Sequence, residues 1–228
     1  MPTINPYLDA AQTINFGRPD LARLEQLDGE GLRAYIFECV EARDRLVARY
    51  SWAIPNDDAL VVLATHAPLI EMGAGTGYWA HLLRQRDVDI LAFDNDPPTS
   101  AQHRNEWHRN QYVVGTSWTE VQQGTPVILR GEAYAGRTLF LCWPPPGSMA
   151  VRTLRAYAGN TLALVRCCKE ENGDDAFYAL LDRAWRCEMD VAIPQWDCVQ
   201  DTLTIWRRAY TKGSDCECHA PRKIGNFV

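Results

Sequence analysis

The residues with the clearest chemical potential are Glu71, Gly73, Gly75 and Gly77, followed twenty-three positions after the first of them by Asp94. Glycines at alternate positions let a backbone turn sharply and approach a ligand closely, because no side chain intervenes. A carboxylate is acceptor-only and can take both hydroxyl donors of a ribose. Together the set suits a nucleoside. The spacing also excludes. In the dinucleotide fingerprint G-x-G-x-x-G the third glycine would fall at position 78, where this chain has Tyr78. A phosphate-cradling P-loop needs Lys and then Ser or Thr after its last glycine, and here Tyr78 and Trp79 follow Gly77. A nicotinamide dinucleotide, and ATP held by a P-loop, are both disfavoured.

Positioning such a set requires particular elements. Leu69 and Ile70 are a short apolar run that ends at Glu71, and Trp79, Leu82 and Leu83 share one face of the segment after the glycines. The order is strand, glycine turn, helix. A second apolar run, Val88 to Phe93, ends in Asp94. If the two strands are parallel neighbours, Asp94 comes to lie beside the turn.

Glu71, Gly73, Gly75 and Gly77 resemble motif I, E-x-G-x-G-x-G, of the class I S-adenosylmethionine-dependent methyltransferases, and Asp94 matches the ribose-binding acid of that family in position, type and order. The resemblance implies a Rossmann-like α/β fold: a mostly parallel seven-stranded sheet with helices on both faces, a last strand inserted antiparallel beside the fifth, and a helical N-terminal extension. It implies S-adenosyl-L-methionine as cofactor, whose sulfonium is cationic and suits a loop preceded by Glu71 and lacking Lys or Arg. The cofactor-binding residues it implies are Glu71, Gly73, Gly75, Gly77, Tyr78, Trp79, Asp94 and Asn95, with Trp52 and Cys142 contributed from elsewhere. The segments SWAIP (51–55), GAGTGYWA (73–80) and LCWPP (141–145) also resemble those of a small group of uncharacterised methyltransferase-like proteins, a likeness that brings no substrate with it.

A second chemical signal is Thr138 to Pro146, a β-rich apolar run stopped by three prolines. Proline cannot continue a ladder, so this reads as a strand that ends abruptly in a rigid loop. It resembles motif IV of methyltransferases acting on planar nitrogens, in which Asp, Asn or Ser precedes Pro-Pro and an aromatic residue. The chain departs at both ends, with Trp143 in the acceptor position and Pro146 in the aromatic one. Trp143, Pro144 and Pro145 are therefore expected at a substrate wall, with Trp143 stacking on cofactor or a flat substrate. Tyr50, Trp107 and Trp196 are further substrate-side candidates. A hydroxyl or protonated amine acceptor would need a base, for which His108 and then His103 are the candidates.

The bulk properties bound the partners. The 228 residues carry a net charge of −6 without a Lys/Arg-rich run, which disfavours a nucleic acid substrate because phosphate neutralisation supplies most such affinity. No charged-then-apolar leader opens the chain and no apolar run reaches the ~20 residues of a bilayer span, so a cytoplasmic protein without membrane contact is expected. Three segments follow: an N-terminal arm and helical cap (1–66), a cofactor-binding domain (67–212) and a tail (213–228).

The first ~25 residues, with Pro2, Pro6, Gly17 and Pro19, read as an irregular arm. A helix over about 30–50 has Leu32, Tyr35, Ile36, Cys39, Val40, Leu46 and Val47 on its apolar stripe, with Asp28 as N-cap, and Asn56 caps a second helix. The third strand is placed at Trp118 to Gln122, and a helix over about 174–186 precedes strands near Val191 and over 202–207. Cys39, Cys142, Cys167 and Cys187 lie in apolar segments and read as buried thiols, while Cys216, Cys218 and His219 lack the spacing and partners of a zinc site. No metal is expected.

The reading is a methyltransferase acting on a small-molecule acceptor through N or O. A nucleobase or nucleic acid amino methyltransferase, a nicotinamide-dependent oxidoreductase and a non-catalytic methyltransferase-like binding protein are the alternatives.

Overall fold

The computed structural model describes residues 4–100 and 117–209. Its strands are β1 (Leu69–Met72), β2 (Ile90–Asp94), β3 (Gln122–Gln123), β4 (Thr138–Cys142), β5 (Thr161–Arg166), β6 (Trp185–Ala192) and β7 (Thr202–Arg208). They form a seven-stranded sheet in the order β3-β2-β1-β4-β5-β7-β6. The pairs β1–β2, β2–β3, β1–β4 and β4–β5 are parallel. β7 runs antiparallel between β5 and β6. The chain therefore winds outward from β1 to β3 on one side and returns to β4 on the other. The carboxyl ends of β1 and β4 flank the point where the winding reverses, which is where ligands bind in open sheets of this kind.

Side chains alternate across the sheet. Ile70, Met72, Leu139, Leu141, Leu162 and Leu164 face α6 (Met149–Ala156) and α7 (Asp175–Ala184). Leu69, Phe140, Ala163 and Val165 face α4 (Asp57–Thr65) and α5 (Tyr78–Arg84). Both faces are covered, as a parallel sheet requires.

The N-terminal residues depart from the sequence reading. In place of an irregular arm there are two helices, α1 (Pro6–Thr13) and the short α2 (Leu21–Leu24). Asn5 caps α1 by accepting from the Leu8 N–H at 3.2 Å, and Pro6 occupies the first turn. Tyr7 of α1 is wholly buried. α3 (Gly29–Arg49) begins at the expected Asp28 cap, whose carboxylate accepts from the Gly31 N–H at 2.8 Å. Its stripe is not uniformly buried, however: Ile36 and Val40 are exposed, and only Val47 and Ala48 near its end are buried.

Three further corrections concern strand ends. β3 is only Gln122–Gln123, because Trp118 is diverted: its indole N–H donates to the Arg49 carbonyl at 2.7 Å and its ring stacks on Tyr50. α7 stops at Ala184, since Trp185 opens β6 and pairs with Arg208. Cys187 is exposed on that edge strand rather than buried.

Candidate functional site

At the carboxyl ends of β1, β2 and β4 lies a cavity of about 400 Å³, within the range of small-molecule sites. The glycine turn forms one side. Gly73, Gly75 and Gly77 have φ of 77°, 53° and 74°, in the left-handed region that glycine enters without steric cost. A Cβ on Gly77 would also come within 2.7 Å of Val121. The turn is tied to β2: the N–H groups of Gly73 and Ala74 donate to the Phe93 carbonyl at 2.8 and 3.0 Å. Asp94 completes the tie. Its Oδ2 accepts from the Gly75 N–H and its Oδ1 from the Asp96 N–H, both at 2.9 Å.

Glu71 and Asp94 are both buried and both line the cavity. Glu71 Oε2 has no hydrogen-bond partner among the described residues. Burial raises the Glu71 carboxyl from its ordinary 4.5 to about 8, with the Arg84 charge pulling down and the Asp94 charge pushing up. A buried carboxyl with an unpartnered oxygen at a cavity wall is chemically suited to a cationic or hydrogen-donating ligand.

The opposite side is aromatic. Trp52 and Trp143 line the cavity and stack on one another, with ring centroids 5.2 Å apart and planes 11° from parallel. Trp143 adopts φ of 49°, which costs a side-chain-bearing residue about 1–2 kcal/mol. Three bonds hold that geometry. The Trp143 backbone N–H donates to the Val165 carbonyl at 2.9 Å, the Gly173 N–H donates to the Pro144 carbonyl at 3.0 Å, and the Trp143 indole N–H donates to Asp201 Oδ1 at 2.7 Å. Burial lifts the Asp201 carboxyl from its ordinary 3.8 to about 7, against the lowering effect of that indole bond. Burial also pushes the Cys142 thiol well up, so it is a neutral wall group rather than a nucleophile.

Of the residues singled out in the sequence, Glu71, Gly73, Gly75, Trp79, Asp94, Asn95, Tyr50, Trp52, Cys142, Trp143 and Pro145 line the cavity. Four do not. Gly77 is turned into the start of α5. Tyr78 faces away from the cavity into an aromatic cluster with Tyr7, Tyr50 and Trp118, where its hydroxyl donates to Asn5. Pro144 is buried beneath the loop. Trp196 is buried against Tyr7, to whose hydroxyl its indole N–H donates at 3.3 Å. His103, Trp107 and His108 lie outside the described residues, as do Cys216, Cys218 and His219.

Several lining residues had not been singled out: Thr125 and Pro126 after β3, and Met149 and Arg152 of α6. The parallel-sheet rule alone could have flagged the first two, since they follow a strand at the ligand edge. Nothing local marks Asp201. No group of His, Cys, Asp and Glu among the described residues could hold a metal ion. None of the described helices is long and apolar enough to cross a membrane.

The strand order and the antiparallel β7 decide the architecture. This is the class I methyltransferase fold. No family model and no curated protein matches the chain. Several solved structures are similar. One is a candidate tRNA (m1A22) methyltransferase of Streptococcus pneumoniae, at 15% identity over 70% of this chain and 73% of that one, with a TM-score of 0.41. The magnesium protoporphyrin IX methyltransferase of Synechocystis PCC 6803, solved with bound SAM, is 14% identical over 67% and 77%, with a TM-score of 0.40. An O-methyltransferase from neocarzinostatin biosynthesis, in complex with S-adenosylmethionine and a naphthoic acid, is 13% identical over 89% and 68%, with a TM-score of 0.43. The architecture is carried by the strand order and the antiparallel β7.

Proposed function

We propose that the protein is an S-adenosylmethionine-dependent methyltransferase that acts on a small-molecule acceptor through oxygen or nitrogen. The observation that carries this is the tie between Asp94 and Gly75 at the cavity wall. It fixes a carboxylate at the end of β2, against the glycine turn, where a nucleoside's ribose hydroxyls would meet it. A carboxylate accepts at about four lone-pair positions, so one group can brace the turn and bind a diol. The unpartnered oxygen of Glu71 fits the cationic methionine end of the cofactor. Two acids and a turn without Lys or Arg suit a ligand without phosphate.

S-adenosylmethionine held there would supply a methyl group on a sulfonium to an acceptor's lone pair, the sulfur keeping the electrons of the broken bond and any acceptor proton going to a base or to water. The protein's work is positional. The glycine turn and Asp94 hold the nucleoside, Glu71 matches positive charge, and the Trp52–Trp143 wall confines the acceptor while excluding water. Holding reactants at ~3–3.5 Å in line removes much of the entropic barrier. His108 and His103 remain the proposed bases for a hydroxyl or protonated amine. The only cation lining the cavity among the described residues is Arg152, which favours a small acceptor over a nucleic acid.

Calorimetric titration with S-adenosylhomocysteine, with NAD as control, tests the cofactor assignment. Micromolar binding of S-adenosylhomocysteine alone is expected. Binding of NAD alone would move the protein to the oxidoreductases. Binding of neither by folded protein would leave a methyltransferase-like fold serving as a binding protein.

A further inference from the structure

Behind the aromatic wall lies a carboxyl group that the methyl-transfer reading leaves without a role. Asp201 immediately precedes β7, and because that strand is antiparallel, its start meets the carboxyl end of β5. Asp201 therefore sits at the ligand edge of the sheet without lining the cavity itself. It has no exposed surface. Its Oδ1 accepts from the Trp143 indole at 2.7 Å, while Oδ2 has no partner among the described residues. The Gln195 side-chain amide donates to its carbonyl at 3.1 Å, which fixes the backbone from which the carboxyl projects.

Trp143 is thereby held at its indole edge by Asp201, on one face by Trp52 and at its backbone by Val165. A left-handed φ on a tryptophan persists only where the surroundings over-determine it. Such fixation gives the ring one orientation at the cavity wall.

We propose that Asp201 is a positioning residue: with Trp52 it fixes the Trp143 indole as a flat platform, and the platform selects a planar, uncharged aromatic acceptor. The word acceptor rests on the methyl-transfer reading; the platform does not. Charge disfavours both an anionic and a cationic ring. Asp94 and Glu171 line the same cavity, so an anionic ring would meet two carboxylates against the single Arg152. A cationic ring nitrogen has no lone pair with which to take a methyl group. A neutral phenol or heteroaromatic amine satisfies both conditions, and its ring can stack on tryptophan. Along the wall itself, Trp52, Cys142, Trp143 and the prolines Pro145 and Pro146 offer no ionic group.

The test uses 2-naphthol as a planar probe and decahydro-2-naphthol as its non-planar counterpart, titrated into the full chain with and without S-adenosylhomocysteine. The planar probe is expected to bind at least about tenfold more tightly. Asp201→Ala should weaken it about tenfold and shift the Trp143 indole N–H resonance, while S-adenosylhomocysteine affinity is unchanged. Asp201→Asn retains an acceptor oxygen and should recover most of the loss, whereas Asp201→Leu fills the same space without an acceptor and should not, a split that a merely space-filling role would not predict. If Asp201→Ala does not fold, Trp143→Phe keeps a ring but gives Asp201 nothing to hold, and should show the same selective loss. Equal affinity for the two probes, or no measurable binding of 2-naphthol, overturns the platform. Unchanged 2-naphthol affinity in the variants overturns the role of Asp201. Failure of wild-type protein to bind S-adenosylhomocysteine overturns the cofactor reading instead, and the cofactor-free titration still decides the platform.

Discussion

The two sides of the cavity are built by different means. The glycine-turn side is local: a turn of glycines and two carboxylates within one strand–turn–helix–strand unit, bonded mainly through backbone N–H groups. The aromatic side is assembled over long range. Trp52 comes from the loop before α4, Trp143 from the end of β4, and Asp201 from the start of β7, 58 residues beyond its indole partner. A local site is specified by motif, whereas a long-range one is specified only by the completed sheet.

That contrast can be broken first at Asp94. Asp94→Ala removes the ribose acceptor and the brace on the turn, and should weaken S-adenosylhomocysteine about a hundredfold, given ~1.5–3 kcal/mol for each hydrogen bond to a charged group. Calorimetry on protein of unchanged circular dichroism checks it, and wild-type affinity would show that the two sides are not divided as described.

Next in size is a pH effect at Glu71. Its carboxyl is neutral below about 8, and a cationic ligand favours the ionised form. Affinity for S-adenosylmethionine should therefore rise with pH by up to about tenfold per unit below 8 and then level off. Glu71→Gln should flatten the curve. Stability runs the other way. An acid whose folded pKa lies above its unfolded 4.5 stabilises most below 4.5, and that contribution is lost as pH rises through about 8. The wild-type Tm should fall relative to Glu71→Gln over that window, and parallel thermal scans would show it.

A smaller effect sharpens the comparison from the other side. Trp52→Ala removes one stacked pair, worth about 0.5–1.5 kcal/mol, and should weaken 2-naphthol threefold to tenfold, clearly more than it weakens S-adenosylhomocysteine. Equal losses of both ligands in calorimetry would merge the two sides into one. Smallest of all is Tyr7→Phe, which deletes a hydroxyl that donates to the Ser51 carbonyl at 2.7 Å and accepts from Trp196. Losing about 1 kcal/mol should lower Tm by about 2–4 °C, measurable by calorimetric scanning.

How much of this was legible in the sequence follows the same division. Glu71, the glycines and Asp94 were readable because backbone geometry demands those residue types at that spacing. The Asp28 and Asn56 caps were readable for the same reason, and both side chains accept from N–H groups in the first turn of their helices. The α1 helix was readable in principle, since Asn5 and Pro6 are a start signal, but two prolines and a glycine nearby gave a stronger impression of irregularity. Tyr78 and Trp196 were misplaced because an aromatic side chain fits a core and a pocket equally well, and only the partner decides. For Trp196 that partner is Tyr7, 189 residues away. Asp201 carried no local sign because its role depends on β7 entering the sheet antiparallel.

That last distance has a consequence for how the protein is made. Tyr7 stacks on Tyr50 at the lip of the cavity and bonds to Ser51, yet its own niche is closed by Trp196. On a ribosome α1 waits for the synthesis of 189 further residues before Trp196 emerges. The glycine turn can form early, but the lip above it is finished only after Trp196 has been made, so cofactor affinity should appear abruptly once that residue is available rather than when the turn first folds.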